Sequence, residues 1–142
     1  MRKVFVTALM LVLAVASCSF ADEVKIGAGI YRFNDAFMLR FRNAMSAESE
    51  KAGAKIDIAD GRDDQPTQDA EIDEFIAGGV NVLIVNLVDR MAAQETIDKA
   101  KSADIPVVFI NREPTLEVLN TYGKAYYVGA KAEESGIFSG QL

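Results

Sequence analysis

The sequence predicts an α/β fold in which helices flank a doubly wound parallel sheet. Short apolar runs rich in β-branched residues alternate with amphipathic segments of about a dozen residues, which is the pattern of right-handed βαβ units. The run Val82–Val85 is apolar without interruption, as expected of a strand buried on both faces in the middle of a parallel sheet. With 142 residues, 50% of them hydrophobic, the chain is long enough for one such core.

Local signals place each element in chain order. Strands are expected at Val24–Tyr31, Lys55–Asp60, Val82–Val85, Pro106–Ile110 and Ala125–Gly129. Helices are expected from Asn34 or Asp35 to Ala52, from Asp64 to Gly78, from Met91 to Asp104 and from Ala132 to Leu142. Gly53 supplies a stop for the first helix, and Pro66 fits the first turn of the second, where a missing N–H costs little. The inward faces are predicted to be Phe37, Phe41, Ala44, Met45 and Ala52, then Ile72, Phe75 and Ile76, then Ala93, Ile97 and Ala100.

The first 21 residues are typical of a secretory signal peptide. Arg2 and Lys3 precede the apolar run Val4–Ala16, which is too short to span a membrane comfortably. Two cleavage sites compete. A small-x-small pattern ends at Ala21, whereas a lipobox-like pattern before Cys18 would remove residues 1–17 and leave that cysteine as a lipid-bearing N-terminus. The sequence therefore predicts export to the periplasm or cell envelope, with a lipid anchor on Cys18 as the open alternative.

Composition excludes several classes of function. Fifteen Lys plus Arg against 21 Asp plus Glu give a net charge of −6, which argues against a nucleic-acid surface. The chain contains no His and one Cys. Catalysis by a Ser-His or Cys-His pair is therefore excluded, as is a Cys/His zinc site, and no metal site or other cofactor is predicted.

Polar and aromatic side chains follow the first, third and fourth predicted strands. These residues are Phe33, Asp35 and Phe37, then Asn86 and Asp89, then Asn111 and Arg112. A doubly wound sheet brings these three loops to the same edge, where ligands of open α/β sheets bind. Carboxylate, amide and guanidinium groups beside aromatic rings suit a sugar, whose hydroxyls donate and accept and whose C–H faces pack on rings.

Each of these residues also has a structural interpretation. Asp35 is a suitable helix N-cap, and Phe37 lies one helical turn before Phe41 and so fits a core position. Asn86 fits a turn at the end of a strand. Arg112 could form a solvated ion pair with Glu113.

Four blocks of sequence resemble a known family. Ile30–Met38, Asn86–Asp89, Asn111–Pro114 and Lys124–Gly129 are similar, in order and spacing, to the D-galactose/D-glucose-binding members of the periplasmic sugar-binding proteins of ABC transporters. The resemblance implies two doubly wound lobes that close around a sugar. It places first-lobe sugar contacts on Asp35, Phe37 and Asn86, with galactose or glucose as ligand.

The resemblance also implies partners and a domain division. Residues 22–110 would form the first lobe, a hinge crossing would lie near Ile110–Arg112, and residues 111–142 would hold the hinge and the start of the second lobe. The calcium loop and the remaining sugar contacts of the family would lie beyond Leu142, so the chain is expected to be incomplete at its C-terminus. Expected partners are an ABC permease and a chemoreceptor.

Two other functions compete with a sugar receptor. One is an enzyme on a doubly wound sheet, with Asp35 or Asp89 as acid or base. The other is the effector domain of a sugar-responsive repressor, whose DNA-binding helices should precede the first strand, where a signal peptide stands instead. We therefore expect a binding protein rather than an enzyme.

Overall fold

A computed structural model describes residues 23–130, which fold around one five-stranded sheet. Strands β1 to β5 span Lys25–Ile30, Lys55–Asp60, Val82–Asn86, Val107–Ile110 and Ala125–Val128. Helices α1 to α4 span Ala36–Lys51, Gln65–Ala77, Ala93–Ser102 and Leu116–Leu119, and a 3-10 turn at Arg90–Ala92 precedes α3. The predicted signal segment with Cys18 and the helix predicted at Ala132–Leu142 lie outside the described residues.

The strand order is β2-β1-β3-β4-β5, and every neighbouring pair is parallel. The chain therefore winds from β1 to β2 on one side, returns past β1 to β3, and continues outward to β5. This arrangement confirms the predicted doubly wound α/β fold. The winding reverses between β1 and β3, whose register pairs Ile30 with Asn86.

Side-chain caps start the first two helices where the sequence predicts them. Asp35 accepts hydrogen bonds from the backbone N–H groups of Phe37 and Met38, and Asp64 accepts one from Thr67. Such caps satisfy N–H groups that have no partner within the helix. After α1 the chain turns through Gly53 at a φ of 66°, a left-handed conformation that glycine adopts without a steric penalty.

Two apolar layers hold the helices against the sheet. On one face, Leu83, Val85 and Phe109 of the strands pack with Ile72 of α2 and Ile97 of α3. All five side chains have 0% exposure. On the other face, a smaller cluster joins Ile30, Tyr31, Met38 and Ile110. The inward faces predicted for α2 and α3 are confirmed in this packing, with Phe75 and Ile76 partly buried at its margin.

The inward face predicted for α1 is partly wrong. Phe37, Ala44 and Ala52 are exposed, whereas Met38 and Ser49 are buried. Phe41 and Met45, which were also predicted to face inward, are half-buried and pack on the smaller cluster. The inward face of α1 is thus formed by Met38, Phe41, Met45 and Ser49, which are three or four residues apart, and it shares only Phe41 and Met45 with the predicted face.

Three further features of the fold differ from the prediction. The helix predicted from Met91 begins as a 3-10 turn, because Asp89 caps the N–H of Met91 before the α-helix starts. The segment after β4, for which no helix is predicted, contains α4. Finally, β5 pairs with β4 in the same sheet, so the sheet continues past the lobe boundary predicted after Ile110. Asn111 and Arg112 lie in the loop between β4 and α4.

Among the helices of residues 23–130, none combines the length and the apolar character that a membrane crossing requires.

A glycine in β1 offers a test of how tightly α2 packs on the sheet. A Cβ atom added to Gly27 would lie 2.6 Å from Cγ and 2.8 Å from Cβ of Phe75, whereas one added to Gly29 would meet nothing closer than 3.7 Å. We expect Gly27→Ala to lower the free energy of unfolding by about 1–3 kcal/mol, because the helix must shift. The matched Gly29→Ala should raise it by about 0.5 kcal/mol, since alanine loses less backbone entropy in a strand. Urea unfolding followed by circular dichroism measures both, and equal effects would contradict the packing described here.

Candidate ligand site at the carboxyl edge of the sheet

The parallel strands β1, β3, β4 and β5 end at one edge of the sheet, and the loops that follow them hold the predicted site residues. The edge beside the β1–β3 reversal is where open α/β sheets bind ligands. The loop after β1 carries Asp35, and α1 then carries Phe37. Asn86 ends β3, and Asn111 follows β4.

Asp35 is held in one orientation by three hydrogen bonds. Its Oδ1 accepts from the backbone N–H groups of Phe37 and Met38 at 2.8 and 2.9 Å. Its Oδ2 accepts from the Tyr31 hydroxyl at 2.6 Å, and Arg32 Nη2 lies 3.9 Å from the same oxygen. The hydrogen bond from Tyr31, followed by that from Met38, lowers the pKa of the Asp35 carboxyl below its usual value. Asp35 is therefore an ionised acceptor near neutral pH.

The capping role of Asp35 is confirmed, and it leaves room for a ligand. A carboxylate offers about four lone-pair directions, and the three hydrogen bonds to Asp35 occupy three of them. The side chain remains 24% exposed. Asp35 can thus accept a hydrogen bond from one ligand hydroxyl while it caps the helix.

Phe37 presents an aromatic ring to solvent at the start of α1. Its side chain is 60% exposed, so the interpretation of Phe37 as a core residue is wrong. The ring lies 6.3 Å from that of Phe41, which is half-buried beneath it. A cleft of about 240 Å³ opens beside the two rings and is lined further by Asn111, Val128, Gly129 and Ala130. This cleft therefore combines apolar ring surface with an amide.

Asn111 enters the cleft from the loop after β4. It adopts a left-handed backbone conformation with a φ of 60°, which Asn tolerates better than most residues. Its side chain is exposed, and its carbonyl accepts a hydrogen bond from the Tyr127 hydroxyl at 3.2 Å. Asn111 is thus an exposed residue that lines the same cleft as Phe37.

Asn86 occupies a different environment from the one expected of a ligand contact. Its side chain has 0% exposure, and its Nδ2 donates to the Met38 sulfur at 3.0 Å. Its Oδ1 has no partner. Asn86 is also a strand residue, so the turn interpretation does not describe it. In this structure Asn86 links β3 to α1 from inside the protein, and its side chain has no surface open to a ligand.

The Arg112 side chain is hydrogen-bonded to the backbone of the loop after β3. Its Nη1 donates to the carbonyls of Leu87, at 2.9 Å, and Val88, and its guanidinium lies 4.2 Å from the centre of the Tyr31 ring. The ion pair expected with Glu113 is not formed, and the Glu113 carbonyl instead accepts from Arg90 Nε at 2.7 Å. Arg112 therefore joins the loops after β1, β3 and β4.

Asp89 and Phe33 lie apart from this cleft. Asp89 caps the 3-10 turn by accepting from the Met91 N–H at 2.9 Å. Phe33 packs under Arg42, whose guanidinium lies 3.6 Å from the ring centre. Phe33 lines a separate and more highly charged depression of about 490 Å³ with Arg32, Asn34, Asp60, Arg62 and Asp63. Of the predicted site residues, Phe37 and Asn111 therefore line the cleft. Asp89 and Phe33 make contacts elsewhere in the fold.

Two residues of the site edge were not singled out from the sequence. Gln68 of α2 has 0% exposure. Its amide binds two backbone groups at and just after the end of β3. The Nε2 donates to the Asn86 carbonyl at 3.0 Å, and the Oε1 accepts from the Val88 N–H at 2.9 Å. A signal existed, because Gln68 lies four residues before Ile72 on the inward face of the helix. The second residue that was not singled out is Tyr31, which lies four residues before Asp35 and donates a hydrogen bond to its carboxylate.

Within residues 23–130, no group of three or more Asp, Glu, His or Cys side chains has a geometry that could hold a metal ion. The groups that the described edge offers to a ligand are hydrogen-bonding side chains and aromatic surface.

Comparison with known sequences and structures gives consistent results. The chain is 40% identical over 136 residues to the D-galactose/methyl-galactoside binding periplasmic protein MglB of Haemophilus influenzae, covering 95% of this chain and 41% of that protein. It is 29% identical over 90 residues to the ribose import binding protein RbsB of Bacillus subtilis, covering 63% of this chain and 30% of that one. This chain thus spans less than half the length of either relative.

The fold has close structural counterparts. The binding protein of the arabinose ABC transporter from Shewanella sp. ANA-3, solved with bound arabinofuranose, superimposes with a TM-score of 0.74 at 24% identity, covering 83% of this chain and 38% of that chain. This likeness supports the parallel sheet and its flanking helices. The first relative is a binding protein by name, in agreement with the binding function expected from the sequence. Because the family described as periplasmic binding protein domain matches residues 26–142, from β1 to the last residue, the chain belongs to the periplasmic binding proteins.

Proposed function

We propose that this chain forms one wall of a sugar receptor that delivers galactose or glucose to an ABC permease. The observation that carries the proposal is the exposed ring of Phe37, two residues after the oriented carboxylate of Asp35, at the carboxyl edge of the sheet. Asn111 adds an amide that can donate and accept in the same region.

The chemistry of this edge fits a pyranose. The flat C–H face of a sugar packs on an aromatic ring, and Phe37 offers such a ring without first having to leave the core. A hydroxyl of the sugar can donate to Asp35 and gain a charge-assisted hydrogen bond. In this proposal the side-chain amide that contacts the sugar is that of Asn111 and not that of Asn86. The Asn86 side chain is buried and bonded to the Met38 sulfur.

The choice of galactose or glucose follows the relative with the highest identity among those compared above. That protein is a D-galactose/methyl-galactoside binding protein by name, while others in the family are named for ribose or arabinose. At 40% identity over nearly the whole chain, the galactose-binding relative is the better guide to the ligand. The permease and a chemoreceptor are the proposed partners.

The enzyme alternative is weaker on chemical grounds. A general acid or base works best with a pKa near the operating pH, whereas the hydrogen bonds to Asp35 move its pKa downward, away from neutrality. Asp89 is exposed and occupied with capping. Both carboxylates are thus better suited to accept hydrogen bonds than to transfer protons.

Replacement of the exposed ring tests the stacking role. We expect Phe37→Ala to weaken binding of galactose or glucose about 3- to 10-fold, because a ring face is lost. Stability should change by less than about 0.5 kcal/mol, because the ring is on the surface. The matched control is Leu39→Ala, which removes another exposed apolar side chain, 50% exposed, from the same helix but outside the cleft.

Ligand-observed NMR titration is the suitable measurement. The edge described here contacts a sugar from one side, so we expect millimolar affinity, about −4 kcal/mol. Equal loss of affinity in Phe37→Ala and Leu39→Ala would remove Phe37 from the site. Turnover of the sugar during the titration would support the enzyme alternative instead.

Export is tested separately by the mass of the native protein. We propose that the chain is exported to the periplasm or cell envelope, because Arg2 and Lys3 precede an apolar run at the N-terminus. Intact-mass analysis of the envelope fraction should find Asp22 as the first residue after simple cleavage, or a lipid-modified Cys18 after lipoprotein processing. Retention of Met1 in that fraction would contradict both.

A further inference from the structure

We propose that Tyr31, held in place by Arg112, is a positioning residue that orients the Asp35 carboxylate toward the sugar. This inference rests on the proposed function, since it concerns the same site. It assigns a role in binding to two residues that do not line the cleft. The argument has three steps, which concern the hydroxyl of Tyr31, the fixation of its ring and the orientation of Asp35.

The Tyr31 hydroxyl is a dependable donor to Asp35. It lies 2.6 Å from Oδ2 of that carboxylate, a short distance typical of a hydrogen bond to a charged acceptor. Burial, and next the hydrogen bond to Asp35, raise the pKa of the Tyr31 phenol. The hydroxyl therefore keeps its proton at any pH at which the protein would work, and it donates to the carboxylate.

The Tyr31 ring is itself fixed by an apolar cluster and by the guanidinium of Arg112. It is 6% exposed and belongs to the apolar cluster with Met38 and Ile110. The guanidinium of Arg112 lies 4.2 Å from its centre, within the range of a cation–π interaction. Arg112 cannot swing away freely, because its Nη1 is bound to the carbonyls that follow β3. The ring position is thus set by the loops after β3 and β4, although Tyr31 belongs to the end of β1.

This arrangement determines where Asp35 can accept another hydrogen bond. The backbone N–H groups of Phe37 and Met38 hold Oδ1, and Tyr31 holds Oδ2. Rotation of the carboxylate would break bonds at both oxygens. The remaining lone pair therefore has a fixed direction, and a ligand meets an acceptor whose orientation is already set, which lowers the entropy lost on binding. Arg32, at 3.9 Å, is the nearby charged side chain that faces the same oxygen.

Removal of the Tyr31 hydroxyl alone is the direct test. Tyr31→Phe in the 142-residue chain keeps the ring, its burial and its contact with Arg112. We expect it to weaken galactose or glucose binding about 10-fold and to raise the pKa of Asp35, measured by carboxyl carbon NMR. The matched control is Tyr122→Phe, which removes another partly buried hydroxyl that donates to a backbone carbonyl, that of Ile105 at 3.1 Å, away from the cleft. It should change neither quantity.

A double-mutant cycle separates positioning from a general loss of structure. If Tyr31 acts through Asp35, Tyr31→Phe should change affinity less than about twofold in an Asp35→Asn background. Equal losses in both backgrounds would overturn the inference, as would a Tyr31→Phe protein that binds as tightly as the parent with an unchanged Asp35 pKa. A parent chain that binds neither sugar at high millimolar concentration would instead overturn the proposed function, so the two failures are distinguishable.

Discussion

Parallel pairing of β1 with β3 is the constraint on which the rest of the site depends. In this register Ile30, the last residue of β1, lies opposite Asn86, the last residue of β3. The loops that follow the two strands therefore begin side by side at the same edge of the sheet. The backbone groups that leave the sheet there need partners, because unpaired buried N–H and C=O groups are costly. Much of the polar chemistry at this edge serves that need.

The polar residues of the edge accordingly form two groups. Gln68 and Arg112 bind backbone carbonyls or N–H groups at and after the strand ends. Asn86 is buried and donates a hydrogen bond to the Met38 sulfur. Asp35 and Asn111 keep exposed surface. The first group makes the edge rigid, and the second faces the ligand. A rigid first group is what allows the second to be oriented before the ligand arrives.

Asp35 belongs to both groups, which resolves the choice between cap and ligand contact. Its Oδ1 caps α1 and its Oδ2 accepts from Tyr31, and the side chain still reaches solvent. A helix N-terminus favours a negative charge, so the position that caps the helix also keeps the carboxylate ionised. The structural and functional interpretations of this residue are therefore parts of one arrangement.

The sequence by itself determined the fold class, the chain order of the five strands and of helices α1 to α3, and the edge at which polar residues gather. These follow from hydrophobic periodicity and from caps such as Asp35 and Asp64, which are local properties of the chain. Only the tertiary structure decided which of two asparagines is exposed: Asn86 is the last residue of β3 and is buried, whereas Asn111 follows β4 in a left-handed conformation and is exposed. It also decided the face of α1, because the adjacent side chains of Phe37 and Met38 point about 100° apart around the helix axis, and the contacts that select Met38 are made with strands distant in sequence.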